Sequence, residues 1–154
     1  MDPIQFTIYG EPVPQGSKKA VPIYKGGQPV MKDGRTLTRV VSDNPKLGQW
    51  RQQAAETARR HYDGEPIRGA VVLTLVFVRP RPQSHYGSGK NADKLKPSAP
   101  AHPTSRPDTL KLARAIEDAL TGVVWRDDSQ IVSHLLRKCY GAAHMVIVGV
   151  ATME

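Results

Sequence analysis

Eight consecutive residues at 71–78, with the sequence VVLTLVFV, limit the fold of this chain more than any other feature. The run is apolar and rich in β-branched residues, and Gly69 and Pro80 bound it. A short uninterrupted apolar run between such residues is typical of a central strand with neighbours on both sides. We therefore predict a sheet built around residues 71–78.

The residues before this strand predict a second strand, a loop and a hairpin. Ile4, Phe6 and Ile8 alternate with polar residues, as in a half-buried strand. Residues 10–19, GEPVPQGSKK, contain two prolines and two glycines and predict a turn or an ordered loop. Between residues 28 and 41, the Asp33-Gly34 pair is typical of a tight hairpin.

Two helices and two further strands are predicted around the apolar run. The first helix spans about residues 45–62, capped by Asn44 or Ser42, and the second spans 108–120, where Leu110 projects onto the polar side. Residues 131–140 and 145–152 predict two final strands joined at Gly141 and forming an antiparallel pair. With 154 residues, the chain is expected to form a single α+β domain over 1–154, with a small mixed or antiparallel sheet and two main helices.

A long loop is predicted at about 80–107. It is rich in proline, lacks apolar periodicity and contains five basic residues. Loops of this length in compact domains are usually functional or disordered, and a basic loop is a candidate to order against nucleic acid. A solvated loop with no task explains its composition equally well.

The charge of the chain favours a polyanionic partner. Lys and Arg number 22 and Asp and Glu number 14, which gives a formal charge of +8. The excess lies entirely in residues 1–100, whereas residues 101–154 are neutral overall. A basic body with a local acidic cluster suits an enzyme that binds phosphates through Lys and Arg and a divalent metal through carboxylates.

Several classes of protein are excluded or disfavoured. No stretch approaches the roughly 20 apolar residues of a membrane helix, and the first residues lack the pattern of a secretory signal, so a cytoplasmic protein without a membrane partner is expected. A single cysteine, Cys139, excludes an intramolecular disulfide. Five histidines without paired ligand spacing argue against a zinc site.

Three aspartates are the candidates for chemistry. Asp127 and Asp128 are adjacent in a polar turn, where mutual repulsion indicates either a bound cation or an Asx-turn with solvated carboxylates. Asp108 stands at the predicted N-cap of the second helix, and capping alone is enough to explain it. The three residues bracket one helix, so a short return after Gly122 would be needed to bring them to a common site.

Four segments together resemble the RusA family of Holliday-junction resolvases, which is common in phages and prophages. In that family a (K/R)-P-D-x-D-N-L-x-K helix is followed by D-A-L-(N/T)-G and then by D-D-(S/A)-Q-(V/I), and the first strand leads into a G-x-P-x-P-(K/Q)-G loop. The matching segments here are 106–112 RPDTLKL, 118–122 DALTG, 125–132 WRDDSQIV and 6–18 FTIYGEPVPQGSK.

The resemblance implies a dimeric α+β endonuclease that binds four-way DNA junctions and cuts them symmetrically in DNA recombination and repair. It implies Mg²⁺ as the cofactor, with Mn²⁺ as a substitute, and a location in a bacterial or phage-infected cell. By the same match, Asp108 is the family's first helix aspartate, Asp128 its essential aspartate in the D-D turn and Asp127 the neighbour of that residue. All three are therefore expected to be catalytic metal ligands.

The chain also departs from the family pattern on the second helix. Leu110 replaces the second aspartate, Lys111 the asparagine and Arg114 the lysine. Lys111 and Arg114 lie one turn apart and are predicted to bind the scissile phosphate or to stabilise the transition state, with a solvated helix face as the alternative. Glu117 lies on the same side as Leu110 but two turns away, which makes it a weak substitute for the missing carboxylate.

Basic residues outside this helix are predicted to contact the DNA backbone and to recognise junction shape rather than base sequence. They are Lys18, Lys19, Arg79, Arg81, Lys90, Lys94, Lys96 and Arg106.

Two other functions are weighed against the nuclease. A non-catalytic junction-binding or nucleic-acid-binding module is suggested by Leu110, which stands where a metal ligand is expected. A basic protein-interaction subunit would leave the ordered series of motifs unexplained.

Overall fold

A computed structural model describes residues 2–16, 18–42 and 44–153, with only the backbone of Ser42. Ser17 of the opening motif and the side chain of Ser42, a predicted helix cap, lie outside the described part. The elements are β1 (Ile4–Tyr9), β2 (Lys18–Pro22), β3 (Tyr24–Lys25), β4 (Gln28–Pro29), β5 (Met31–Lys32), β6 (Arg35–Thr36), β7 (Thr38–Ser42), α1 (Leu47–His61), β8 (Ala70–Arg79), α2 (Thr109–Leu120), β9 (Ile131–Tyr140) and β10 (Met145–Met153).

The main sheet is mixed and has the order β1-β10-β8-β9. β8 contains the apolar run 71–78 and pairs with a strand on each side, antiparallel to β10 and parallel to β9. Its role as a central strand is confirmed. The α+β class is likewise confirmed, because two helices accompany a sheet of mixed direction.

The predicted antiparallel pairing of the last two strands is wrong. β9 lies at the sheet edge, and β8 separates it from β10. The chain leaves β9 at Tyr140, passes the end of β8, where the Gly141 N–H donates to the Arg79 carbonyl, and returns as β10 on the other side. A four-residue link is long enough to cross one strand, so the short connection did not require direct pairing.

Both helices pack on one face of the sheet. Alternate residues of β8, beginning at Val71, are buried, as are Phe6 and Ile8 of β1 and the three valines Val146, Val148 and Val150 of β10. They form one core with Trp50 of α1 and Ile116 of α2. α1 contacts β1 and α2 contacts β9, so α2 lies along the edge where the acidic motifs occur.

The helix ends differ slightly from the prediction. α1 begins at Leu47, and its N-cap is Lys46, which makes no side-chain cap. Asn44 lies outside the helix, where its side-chain oxygen accepts a hydrogen bond from the Lys46 N–H at 3.0 Å. Among the described residues, no helix is both long and apolar enough to cross a membrane.

Residues 18–42 form a series of hairpins. The predicted hairpin at Asp33-Gly34 is confirmed, because Met31 pairs with Thr36 and Lys32 with Arg35. Lys18 and Lys19 were expected at the end of a loop but lie in β2, which pairs with β7. β2 and β7 were not predicted because both strands are largely exposed, so their sequences lack the apolar alternation of a strand with one buried face.

The long segment 80–107 is ordered by its own backbone. Short 3₁₀ turns occur at Gln83–His85 and Gly89–Asn91. On either side of the second turn, the Gly87 N–H donates to the Lys94 carbonyl and the Lys96 N–H to the His85 carbonyl, at 2.9 Å each. The loop prediction is therefore confirmed, and the structure favours an ordered loop over a disordered one.

Trp125 provides a test of the fold near the acidic turn. Its side chain is fully buried, and its indole N–H donates to the Thr121 hydroxyl at 3.1 Å. We predict that Trp125→Ala lowers the free energy of unfolding by about 3–5 kcal/mol, because it leaves a large cavity. Chemical denaturation measures the loss. Met153→Ala, at an exposed position, serves as the control and should change the free energy of unfolding by no more than about 0.5 kcal/mol. A loss below about 1 kcal/mol for Trp125→Ala would contradict the burial of Trp125 in the core.

Candidate active site

An open cleft of about 480 Å³ lies beside the C-terminal half of α2. Three separate segments line it, and each belongs to one of the motifs found in the sequence. The lining residues are Gln15, Gly16, Lys18, Arg114, Glu117, Asp118 and Asp128. The fold thus brings the opening loop, the helix and the D-D turn to one place.

Gln15 fixes the first of these segments against both helices. It is only 5% exposed, and among the residues that the structure describes it is the one polar or charged residue that is buried. Its amide N–H donates to Asp118 Oδ2 at 2.7 Å, and its side-chain oxygen accepts from Arg51 Nη2 at 2.7 Å. Its backbone N–H donates to the Lys111 carbonyl at 2.9 Å. Arg51 Nη2 also lies 3.4 Å from Asp118 Oδ2, which closes a triangle of side chains.

Gln130 fixes the D-D turn in a similar way. Its side-chain oxygen accepts from the N–H groups of Arg126 and Asp127, at 2.9 and 2.8 Å. Its amide nitrogen donates to the carbonyls of Ile67 and Gly69, each at 2.9 Å. The amide therefore anchors the turn to the segment that leads into β8.

Asp127 is the cap of this turn. Its carboxylate accepts a hydrogen bond from the Ser129 N–H at 2.9 Å and forms a capping box with Gln130. Two hydrogen bonds lower the pKa of the Asp127 carboxyl from its ordinary value: the larger effect comes from the Ser129 side chain and the smaller from the Ser129 backbone. Asp127 is therefore ionised at neutral pH. Its carboxylate has the capping role that the sequence analysis gave as the alternative to a bound cation.

Asp128 follows the cap and lines the cleft together with Arg114 and Lys18. All three side chains belong to exposed residues. A carboxylate beside two cations in an open cleft can bind a divalent metal while the cations contact a phosphate group. Among the predicted catalytic residues, the structure therefore brings together Asp128 and Arg114.

Asp108 and Lys111 lie at the other end of α2. Asp108 is the N-cap by position, but its side chain makes no capping hydrogen bond, so capping does not explain this carboxylate. Its Oδ2 lies 3.5 Å from Lys111 Nζ instead. Asp108 and Glu117 are nine positions apart, which corresponds to about 14 Å along the helix axis. Neither Asp108 nor Lys111 lines the cleft.

Besides Asp128, the carboxylates that line the cleft are Glu117 and Asp118. Glu117 lines it, and its Oε1 lies 2.9 Å from His134 Nε2 on β9. Within residues 2–16, 18–42 and 44–153, no group of three His, Cys, Asp or Glu side chains is placed to hold a metal. Leu110 is 73% exposed, as expected for an apolar residue on the polar side of the helix.

The predicted DNA-binding residues of the long loop fall into two groups. Arg79 donates to the Arg106 carbonyl at 3.1 Å, Arg81 to the Pro100 carbonyl at 2.8 Å and Lys96 to the Ser84 carbonyl at 2.9 Å, so these three side chains hold the loop in shape. Arg81 also lies over the Tyr140 ring, 4.3 Å from its centroid. Lys90, Lys94 and Arg106 are exposed.

Sequence reasoning did not identify several residues that build the site. The motifs contain Gln15 and Gln130 but indicate no role for them, and no motif contains Lys138. Lys138 Nζ donates to the carbonyls of Ser105 and Pro107, at 2.9 and 3.0 Å, and so positions the start of α2. The side-chain bonds of Gln15 and Lys138 join residues distant in sequence, so no local pattern predicts them, whereas the Asp127-x-x-Gln130 spacing is a local capping-box pattern.

Comparisons with known proteins agree with the motifs. The family model described as "Endodeoxyribonuclease RusA" matches residues 11–151. A protein of Bacillus subtilis (strain 168), YqaN, is 31% identical over 140 residues, which cover 91% of this chain and 89% of that protein. Because the family model spans most of the chain, including the segment 19–104 that carries no recognisable motif, this chain belongs to the RusA family of Holliday-junction-resolving endodeoxyribonucleases.

Proposed function

We propose that this chain cuts four-way DNA junctions by magnesium-dependent hydrolysis of phosphodiester bonds, in DNA recombination and repair. One observation supports this most strongly. Three segments that resemble the family's motifs contribute Lys18, Arg114 and Asp128 to the same open cleft. A cleft lined by both cations and carboxylates suits a phosphodiester and a metal ion together.

The donor set of the cleft fits magnesium. Asp128 and Glu117 supply hard carboxylate oxygens, and Mg²⁺ in nucleases is typically held by one or two carboxylates, waters and substrate phosphates rather than by an all-protein cage. When bound, Mg²⁺ or its substitute Mn²⁺ would lower the pKa of a water and polarise the phosphate. Asp127 contributes to this proposal by holding the turn that presents Asp128.

The residues of the chain itself have separate tasks in this proposal. Arg114, with its planar guanidinium, binds two oxygens of the scissile phosphate and stabilises the charge that develops there. Lys18 contacts the adjacent backbone. The metal role of Asp108 stays a prediction, which requires the Asp108 end of a second chain's α2 to approach the cleft. Lys111, beside Asp108, is proposed to contact phosphate at that end.

The exposed cations around the cleft support recognition of DNA shape. Lys19, Lys90, Lys94 and Arg106 are exposed and are proposed to contact phosphates, which carry no sequence information. A homodimer is proposed because a four-way junction has two-fold character and requires two cuts. We place this activity in the cytoplasm of a bacterial or phage-infected cell.

Substitution of Asp128 tests the proposal. Asp128→Asn removes a charged ligand with little change in shape, so we expect at least a hundredfold slower nicking of a labelled four-way junction in magnesium, with junction binding in EDTA retained. Asp63→Asn is the matched control, because it removes an exposed carboxylate that does not line the cleft, and its nicking rate should be unchanged. Equal nicking rates for wild type and Asp128→Asn would contradict the assigned role.

A second candidate function is supported by Leu110. An apolar side chain that is 73% exposed at the position of a family carboxylate suggests a junction-binding module that has lost catalysis. In that case the wild-type chain binds junctions without cutting at any concentration of Mg²⁺ or Mn²⁺, and Leu110→Asp restores nicking. The uncharged control Leu110→Asn should not restore nicking. Magnesium-dependent cutting by the wild type would instead show that Leu110 is tolerated.

A further inference from the structure

Residues 18–42 form an extension that we call the β-arm. None of its described side chains is buried, and only Val21, Val30, Leu37 and Val41 are partly covered. Its strands pair only with one another in the described sheets, as β2-β7, β3-β4 and β5-β6. The arm is therefore shaped by its own hydrogen bonds rather than by the core.

A ring of three backbone hydrogen bonds gives the arm a defined branch point. The Ile23 N–H donates to the Leu37 carbonyl, the Val30 N–H to the Ile23 carbonyl and the Leu37 N–H to the Val30 carbonyl, at 2.7–2.9 Å. From this ring, β2 and β7 form a stem, while β3-β4 and β5-β6 form two short hairpins. The three apolar residues occupy the centre, so the branch has a fixed shape.

Both short hairpins end in tight turns that keep basic residues at the tips. Gly26 and Gly27 have φ values of 60° and 77°, and Asp33 and Gly34 have 50° and 73°. Two successive positive φ angles are typical of type I′ turns, which match the twist of a two-stranded ribbon. Lys25 flanks one turn, and Lys32 and Arg35 flank the other.

The arm is strongly cationic. It contains six basic residues and one acidic residue, Asp33, for a net charge of +5 in 25 residues of a chain whose total is +8. An exposed ribbon with this charge favours an anionic partner, because the tip cations have no matching cluster of carboxylates within the arm. A neutral or apolar partner surface would leave them unpaired.

The stem of the arm begins at the candidate active site. Lys18 lines the cleft that contains Asp128, and the same Lys18 lines a neighbouring depression with Val40, Leu47 and Arg51. Lys18 thus links the cleft to the arm, and a duplex aligned with the stem reaches from one to the other. The five-residue stem and the three-residue height of a hairpin give a reach of about 25 Å from the cleft.

We propose that the β-arm is a second DNA-binding site, which binds the duplex of a junction arm with its tips in the major groove. A two-stranded β-ribbon fits this groove, which is about 12 Å wide. Lys25, Lys32 and Arg35 contact phosphates about seven base pairs from the cut, because each base pair spans about 3.4 Å. This inference rests on the proposed function, and it assigns substrate contacts to a segment outside the recognised motifs.

A charge-matched pair of variants tests the β-arm. Lys25→Gln/Lys32→Gln/Arg35→Gln removes the three tip charges, and Arg59→Gln/Arg60→Gln/Arg68→Gln removes three exposed charges from α1 and the segment after it. Both reduce the net charge equally. Binding of a labelled four-way junction with 20-base-pair arms is measured in EDTA, so that no cutting interferes, across a range of salt concentrations.

We expect the tip variant to bind at least about tenfold more weakly at 0.1 M salt, and its salt-dependence slope to fall by about 2.7, which corresponds to three phosphate contacts. The control variant should change the affinity less than about threefold. Equal losses in the two variants, or no loss in either, would overturn the β-arm proposal. If the wild-type chain neither binds nor cuts the junction, the proposed function itself fails, which is a separate outcome.

A shortened arm locates the contact. Replacing residues 23–37 by Asn-Gly closes the stem directly after the Pro22–Thr38 pair and removes both tips. We expect hydroxyl-radical protection to disappear about seven base pairs from the cut while protection at the branch point remains. Protection that is unchanged at that distance would exclude groove binding by the tips.

Discussion

The buried side chain of Gln15 holds the candidate active site together. It joins the opening loop to Arg51 of α1 and to Asp118 of α2, and its backbone is bonded to Lys111. An unsatisfied buried amide costs about 1–3 kcal/mol, so each partner depends on the others. Because Lys18 and the β-arm follow this loop directly, the position of both relative to Asp128 depends on the same network.

The features that sequence could predict were those with a local pattern. The apolar run of β8, the alternation of β1 and the amphipathic period of α2 each report one buried face, and the structure confirms all three. The partner of β9 could not be predicted in this way, because strand order depends on which edge is free and not on the strand itself. The stem of the β-arm was missed because it buries no face.

The same distinction applies to the site. Its motif residues were visible, and Asp128 and Arg114 lie in one cleft as a shared site requires. Asp108 was grouped with them by the family motif and because it brackets the same helix. It lies at the other end of α2, about 18 Å along the axis, and its metal role stays a prediction. Glu117 and Asp118 line the cleft with Asp128. The sequence offered Glu117 only as a weak substitute and Asp118 only as a member of the DALTG motif, because neither position on the helix reports which other segment folds against it.

Cleavage of a labelled four-way junction by the wild-type chain, beside a linear duplex of the same sequence and with or without magnesium, tests the central claim most directly. The account predicts paired, magnesium-dependent nicks near the branch point of the junction and none in the duplex. Binding of the junction without nicks at any magnesium or manganese concentration, or equal cutting of the linear duplex, would contradict it.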